Sequence, residues 1–136
     1  EAGMPLYGHE LGEEINALEC GVDFAISLDK HTQERGERFI GQDVHETTVK
    51  SGGPKRRLVG IRLEDKRAAR QGNAVSVGEK VVGAVTSGCV SPTLGASIAM
   101  AFVESGSAAE GTAVGVDTGR GVLAGTIVKL PFYKAK

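Results

Sequence analysis

From Arg56 onward the chain is a succession of short apolar runs cut by turns that carry glycine, and this pattern limits the fold more than any other feature. Over Arg56–Glu64, Val59, Ile61 and Leu63 recur at every second position, the period of a half-buried strand. Residues 74–77 and 80–86 flank Gly78-Glu79 and read as a hairpin. Residues 112–116 and 122–130 flank Asp117-Thr118-Gly119-Arg120-Gly121 and read as a second. Ser97–Val103 is almost wholly apolar, the pattern of a buried strand. Between Thr86 and Gly95 the residues are small and Pro92 and Gly95 close the segment, which predicts a hairpin with a long structured loop. Six or so strands at this spacing predict a mainly β fold, a small antiparallel barrel or sandwich. Glycine occurs 20 times, which suits many tight turns. Aromatic residues make up 4% and Trp is absent, so Val, Ile, Leu and Ala must build the core.

Residues 1–50 read differently. Met4–Tyr7 reads as a strand end, and Gly8–Leu18 as a polar surface connection. Val22–Leu28 alternates as a strand does, Asp29–Arg38 is a charged loop, and Phe39–Val49 is a short amphipathic helix with Ile40, Val44 and Thr48 on one face. One helix and one or two strands cannot bury their apolar faces on each other. Residues 1–50 are therefore expected to be the incomplete tail of a mixed α/β domain. Ser51-Gly52-Gly53-Pro54 breaks the pattern, and residues 51–136 are expected to form the barrel domain. The chain opens on Glu1 inside what reads as a strand, as a piece of a longer protein does.

Composition narrows the function classes. With 16 basic and 17 acidic residues the net charge is −1, which argues against a dedicated nucleic-acid binder. No apolar run reaches the ~20 residues of a membrane helix. Cys20 and Cys89 match no metal spacing and are expected to be buried free thiols, in keeping with a reducing compartment. His9, His31 and His45 lack helical metal-ligand spacing and read as solvated surface residues. Gly88-Cys89 is not a nucleophile elbow, although Ser87 and Ser91 flank it. The glycine-rich 116–121 segment leads into a strand, whereas a phosphate loop opens a helix. Lys55-Arg56-Arg57 and Lys66-Arg67 with Arg70 are basic clusters that read as solvated loop charge, since no aromatic stacking residues interleave with them. The residues taken singly predict a β domain with an α/β appendage and no legible activity.

Three blocks taken in order say more: Glu1-Ala2-Gly3-Met4-Pro5-Leu6-Tyr7-Gly8, Thr86-Ser87-Gly88-Cys89-Val90-Ser91-Pro92-Thr93-Leu94-Gly95, and Leu130-Pro131-Phe132-Tyr133. Together they resemble the C-terminal part of the glycine cleavage system T-protein family, the folate-dependent aminomethyltransferases, over nearly the whole chain. The resemblance implies a C-terminal antiparallel barrel and tetrahydrofolate as cofactor. It also implies two partners, the lipoyl-bearing carrier protein and an upstream portion of the same protein. The implied reaction takes an aminomethyl group from the lipoyl arm, releases ammonia and leaves the one-carbon unit on tetrahydrofolate. The family's catalytic Asp has no counterpart in these residues, so no catalytic residue is assigned here, and the chain alone is expected to be inactive.

Two cofactor contacts are implied. Glu1 matches the Glu of the family's Leu-Glu-Ala-Gly pattern, and a carboxylate can accept the side-by-side N–H donors of a pterin edge. An Arg shortly before the Phe-Ile-Gly block helps hold the cofactor, and Arg35 and Arg38 compete for that role, Arg35 first. Tyr7 either approaches the cavity or packs over a turn, and the 86–95 loop either faces the cavity or the carrier protein or holds the barrel shut. Asn16-Ala17 stands where the family often carries Pro. The implied location is cytoplasmic in a bacterium, or the mitochondrial matrix in a eukaryote. Two competing readings remain: the folate-binding C-terminal region of a sarcosine or dimethylglycine dehydrogenase, and a non-catalytic barrel that binds single-stranded nucleic acid. A homodimer through exposed strand edges is a further possibility for the isolated chain.

Overall fold

The computed structural model describes residues 1–32 and 36–134. Its centre is a six-stranded antiparallel sheet closed into a barrel. The strands are β1 (Arg56–Leu63), β2 (Ala74–Val77), β3 (Lys80–Ser91), β4 (Ala96–Glu104), β5 (Ala113–Asp117) and β6 (Val122–Val128). Their order round the barrel is β1-β4-β3-β2-β5-β6, and β6 pairs back onto β1 with Ile61 opposite Ile127. Alternation along each strand sends one set of side chains inward. Val59, Ile61 and Leu63 of β1 meet Val75, Val82, Val85, Ala101, Val103, Val114, Val116, Leu123 and Ile127 in one core. The interior is aliphatic, as the scarcity of aromatics requires.

β4 is buried from Ser97 through Val103 because both its faces are covered. Ala99, Ala101 and Val103 join the core. Ile98 and Met100, on the other face, line a cavity together with Ala2, Gly3 and Met4. Phe102 lies beneath the guanidinium of Arg56, whose Cζ is 4.6 Å from the ring centroid. The N-terminal residues thus act as a second layer on the β3–β4 face. The contact of β3 with β4 is close at Gly83, where a Cβ would lie 1.9 Å from the carbonyl oxygen of Phe102.

The 86–95 segment is not a long loop. β3 continues through Ser91, with Ser87 opposite Met100 and Gly88 opposite Ala99, and only Pro92–Gly95 turn. Small residues of low strand propensity are carried into the ladder by their partners on β4. A bulge at Thr86 shifts the register between Val85 and Ser87. The Thr86 carbonyl lies 3.2 Å from Nδ1 of His9, which places the proton on that nitrogen.

Residues 1–55 are mostly turns. The strand expected over Val22–Leu28 does not form: Asp23–Ala25 make a 3-10 turn and Phe24 is exposed. A strand needs an edge to pair with, and the closed barrel offers none. Helix α1 (Gln42–Lys50) starts three residues later than expected. Its predicted apolar face is not buried, since Ile40 and Val44 are exposed. Gly8–Leu18 is not wholly a surface connection either. Glu10 is buried, and its Oε2 accepts the Leu6 N–H at 3.0 Å. The thiols also divide. Cys20 is buried and donates to the Asn16 carbonyl, and burial pushes its pKa up. Cys89, expected inside, is exposed. Neither is in a disulfide.

Candidate functional site

β3 and β4 present a row of small or flexible side chains outward, and the N-terminal strip crosses in front of them. Between the two lies a cavity of about 350 Å³. Glu1, Met4, Cys89, Ile98, Met100 and Phe132 are among its walls. The lining is largely apolar, with Glu1 as its one carboxylate, and among the described residues no Lys or Arg borders it.

Glu1 is held on two sides. Its backbone carbonyl accepts the N–H of Tyr133 at 3.3 Å. Its carboxylate is gripped by the β3–β4 turn. Oε1 accepts the Ser91 hydroxyl and, at 3.1 Å, the Thr93 N–H, while Oε2 accepts the Thr93 hydroxyl at 2.9 Å. Ser91 is itself fully buried, and its Oγ accepts the Leu94 N–H at 3.1 Å. Gly95 closes the turn at φ 61°, a left-handed conformation that side chains disfavour. Ser91 first, then the backbone and hydroxyl of Thr93, hold the Glu1 carboxyl below the usual carboxylate range. Glu1 is thus already fixed before any ligand binds.

The other two predicted contacts lie elsewhere. Arg35 falls outside the described residues. Arg38 is not on the cavity wall, and its Nη1 pairs with Oε1 of Glu46 at 3.1 Å. Arg38 first, then the Gln42 amide, lowers the pKa of Glu46. Gln42 is the buried hub of this corner. Its Oε1 accepts the Phe39 N–H, and the two protons of Nε2 are shared among Leu28 O, Glu46 Oε1 and His31 Nδ1 at 2.8, 2.8 and 2.7 Å. Tyr7 is exposed, pairs with Leu11 in an isolated bridge and does not line the cavity.

Sequence reasoning left open whether the 86–95 segment faces the cavity and gave Ser91 and Thr93 no contact with Glu1. Their signal was a Ser-Pro-Thr turn in the same chain as an N-terminal Glu, and only folding joins positions so far apart. The histidines are not uniformly solvated: His31 is exposed, while His9 and His45 are half-buried. Among the described residues no three His, Cys, Asp or Glu side chains converge to hold a metal ion. The basic clusters are partly neutralised, Arg56 by Glu19 at 2.8 Å and Arg67 by Asp65 at 2.9 Å. No helix is long and apolar enough to cross a membrane among the described residues.

Comparison with known proteins agrees with this architecture. Residues 56–134 match the family described as the glycine cleavage T-protein C-terminal barrel domain. The chain is 44% identical over 135 residues to an aminomethyltransferase of Symbiobacterium thermophilum, covering 99% of this chain and 34% of that protein. It is 45% identical over 134 residues to an aminomethyltransferase of Cutibacterium acnes, again covering 34% of the relative. The fold superposes on the crystal structure of the glycine cleavage system aminomethyltransferase T from Bartonella henselae with a TM-score of 0.84, at 24% identity, over 97% of this chain and 36% of that one. The chain therefore spans about a third of the length of the relatives it matches.

Proposed function

Because this chain belongs to the glycine cleavage T-protein family through its C-terminal barrel, we propose that it is the C-terminal share of an aminomethyltransferase. The observation that carries this reading to a site is the fixed Glu1 carboxylate on the wall of an apolar cavity. Such a site suits a flat ring with an apolar face and an N–H edge. Tetrahydrofolate has that shape. Glu1 would accept its ring N–H donors, and Met4, Met100 and Phe132 would cover its face. Arg35 and Arg38 are the proposed second contact, which for Arg38 means exchanging Glu46. When bound, tetrahydrofolate supplies the acceptor of the one-carbon unit, which comes from the aminomethyl-lipoyl carrier protein with release of ammonia. This chain's own part is to bind and orient the cofactor; the proton-transfer group is assigned to the region of the relatives that it does not span.

The cavity is open, and a pocket that buries most of a drug-sized ligand needs walls on several sides. The remaining walls are assigned to that same region. Calorimetry tests this. Tetrahydrofolate titrated into the chain alone should give weak heat or none. Adding the upstream region of the Symbiobacterium thermophilum relative in trans should tighten binding, and Glu1→Gln should then weaken it. Equal affinity with and without the added region would overturn the shared cavity. A dehydrogenase-like reading predicts a flavin-binding region upstream instead, which the upstream sequence decides.

A further inference from the structure

We propose that the β3–β4 turn is a positioning clamp that fixes Oε1 of Glu1 and offers Oε2 to the ligand, with the Thr93 hydroxyl as an exchangeable cap on Oε2. The inference rests on the folate reading above for the identity of the ligand, and on the hydrogen bonds alone for the clamp.

A carboxylate has about four acceptor positions, two on each oxygen. Oε1 is filled by the Ser91 hydroxyl and the Thr93 N–H, while Oε2 takes only the Thr93 hydroxyl. The two sets of donors differ in freedom. Ser91 is fully buried and tied by the Leu94 N–H, and the Thr93 N–H is backbone, so neither can swing away. The Thr93 hydroxyl belongs to an exposed side chain that turns about one bond. A ligand N–H donor therefore finds Oε1 immobile and a position on Oε2 already open, and rotation of Thr93 frees the second. Ser91 and Thr93 are thus positioning residues with opposite effects: one holds the anchor, the other competes for it.

The clamp also sets the acid limit of binding. Hydrogen bonds to the ionised carboxylate lower its pKa, with Ser91 the largest cause. The charged and titratable groups near it are the chain's own α-ammonium, which acts in the same direction, and the Cys89 thiol across the cavity. Because the folded pKa is depressed, the contact persists as pH falls below the ordinary carboxylate range and is lost only through the lowered value.

The titration of Glu1, followed by 13C NMR of its labelled side chain in this chain, tests the clamp without any ligand. Ser91→Ala should raise its pKa most, Thr93→Val less, and Thr93→Ser should restore the wild-type value. Unshifted titration in folded Ser91→Ala and Thr93→Val would overturn the clamp. Tetrahydrofolate affinity in the presence of the upstream region tests the cap. Ser91→Ala should bind roughly tenfold more weakly, with its acid limb moved to higher pH, and Thr93→Val should bind at least as tightly as wild type. Equal losses in the two variants would mean a merely structural turn and overturn the cap. If Glu1→Gln leaves tetrahydrofolate binding unchanged, the folate reading fails while the NMR titration still decides the clamp.

Discussion

At the scale of single residues, absent side chains matter as much as present ones. Gly83 lets β3 approach β4 where a Cβ would meet backbone atoms: Phe102 O at 1.9 Å and Val103 Cα at 2.8 Å. Neither neighbour can rotate away, so a side chain there forces two strands apart. Gly83→Ala should cost about 3 kcal/mol or more of stability in urea unfolding. Gly106 is the control, since a Cβ there meets nothing within 4 Å and its φ is not positive. Gly106→Ala should stay within roughly 0.5 kcal/mol of wild type. If both variants unfold at the same midpoint, the close approach of β3 and β4 is wrong. Neither role is marked in the sequence, where all 20 glycines look alike.

Among the elements, α1 shows how a polar residue can dock a helix. Its valines point into solvent, and it is Gln42 that is buried. That amide ties Leu28 O, His31 and Glu46 together and accepts from Phe39 N–H. Replacing it by Ala leaves the Leu28 carbonyl and the Phe39 N–H without these partners. Such losses cost about 1–3 kcal/mol each when the group stays buried. The barrel shares none of these bonds. Gln42→Ala should therefore speed amide hydrogen exchange over 39–50 while exchange in β1–β6 holds at wild-type rates. Uniform acceleration across the barrel would show instead that α1 and the sheet unfold as one unit. Helical periodicity located α1 correctly but chose the wrong face, because periodicity cannot register a hydrogen-bond hub.

For the whole molecule, residues 1–50 and 51–136 differ in how they are held. The barrel encloses one aliphatic core. The N-terminal part lies over it as a partial second layer and is tied to it by polar contacts that include the Glu1 clamp, His9 on Thr86, and Glu19 on Arg56. We propose that residues 51–136 are independently stable. Limited proteolysis should cut within 29–38 or 50–55, where Ser51 and Gly52 are exposed, and leave a resistant C-terminal fragment. A chain resistant throughout would place the boundary elsewhere. Trimming the N-terminal part should also uncover Ile98 and Met100, so the fragment should bind a hydrophobic dye more than the intact chain does.

The sequence by itself determined a mainly β fold of short antiparallel strands, and its family resemblance implied a barrel. Alternation within β1, the turn chemistry after Val77 and Asp117, and the apolar run of β4 are local signals, and β2–β3 and β5–β6 pair across short turns, whereas β1–β4, β1–β6 and β2–β5 join distant stretches of chain. The three blocks that resemble one family likewise stand in the sequence, and the match over residues 56–134 agrees with them. Only the tertiary structure decided what covers the outer face of β4, why Val22–Leu28 has no edge to join, and what holds Glu1. Those outcomes depend on groups some ninety residues apart, as with Glu1 and Ser91, and on whether a sheet closes. Local propensity is silent about such meetings, because a hydroxyl in a turn reads the same whether it faces water or a distant carboxylate.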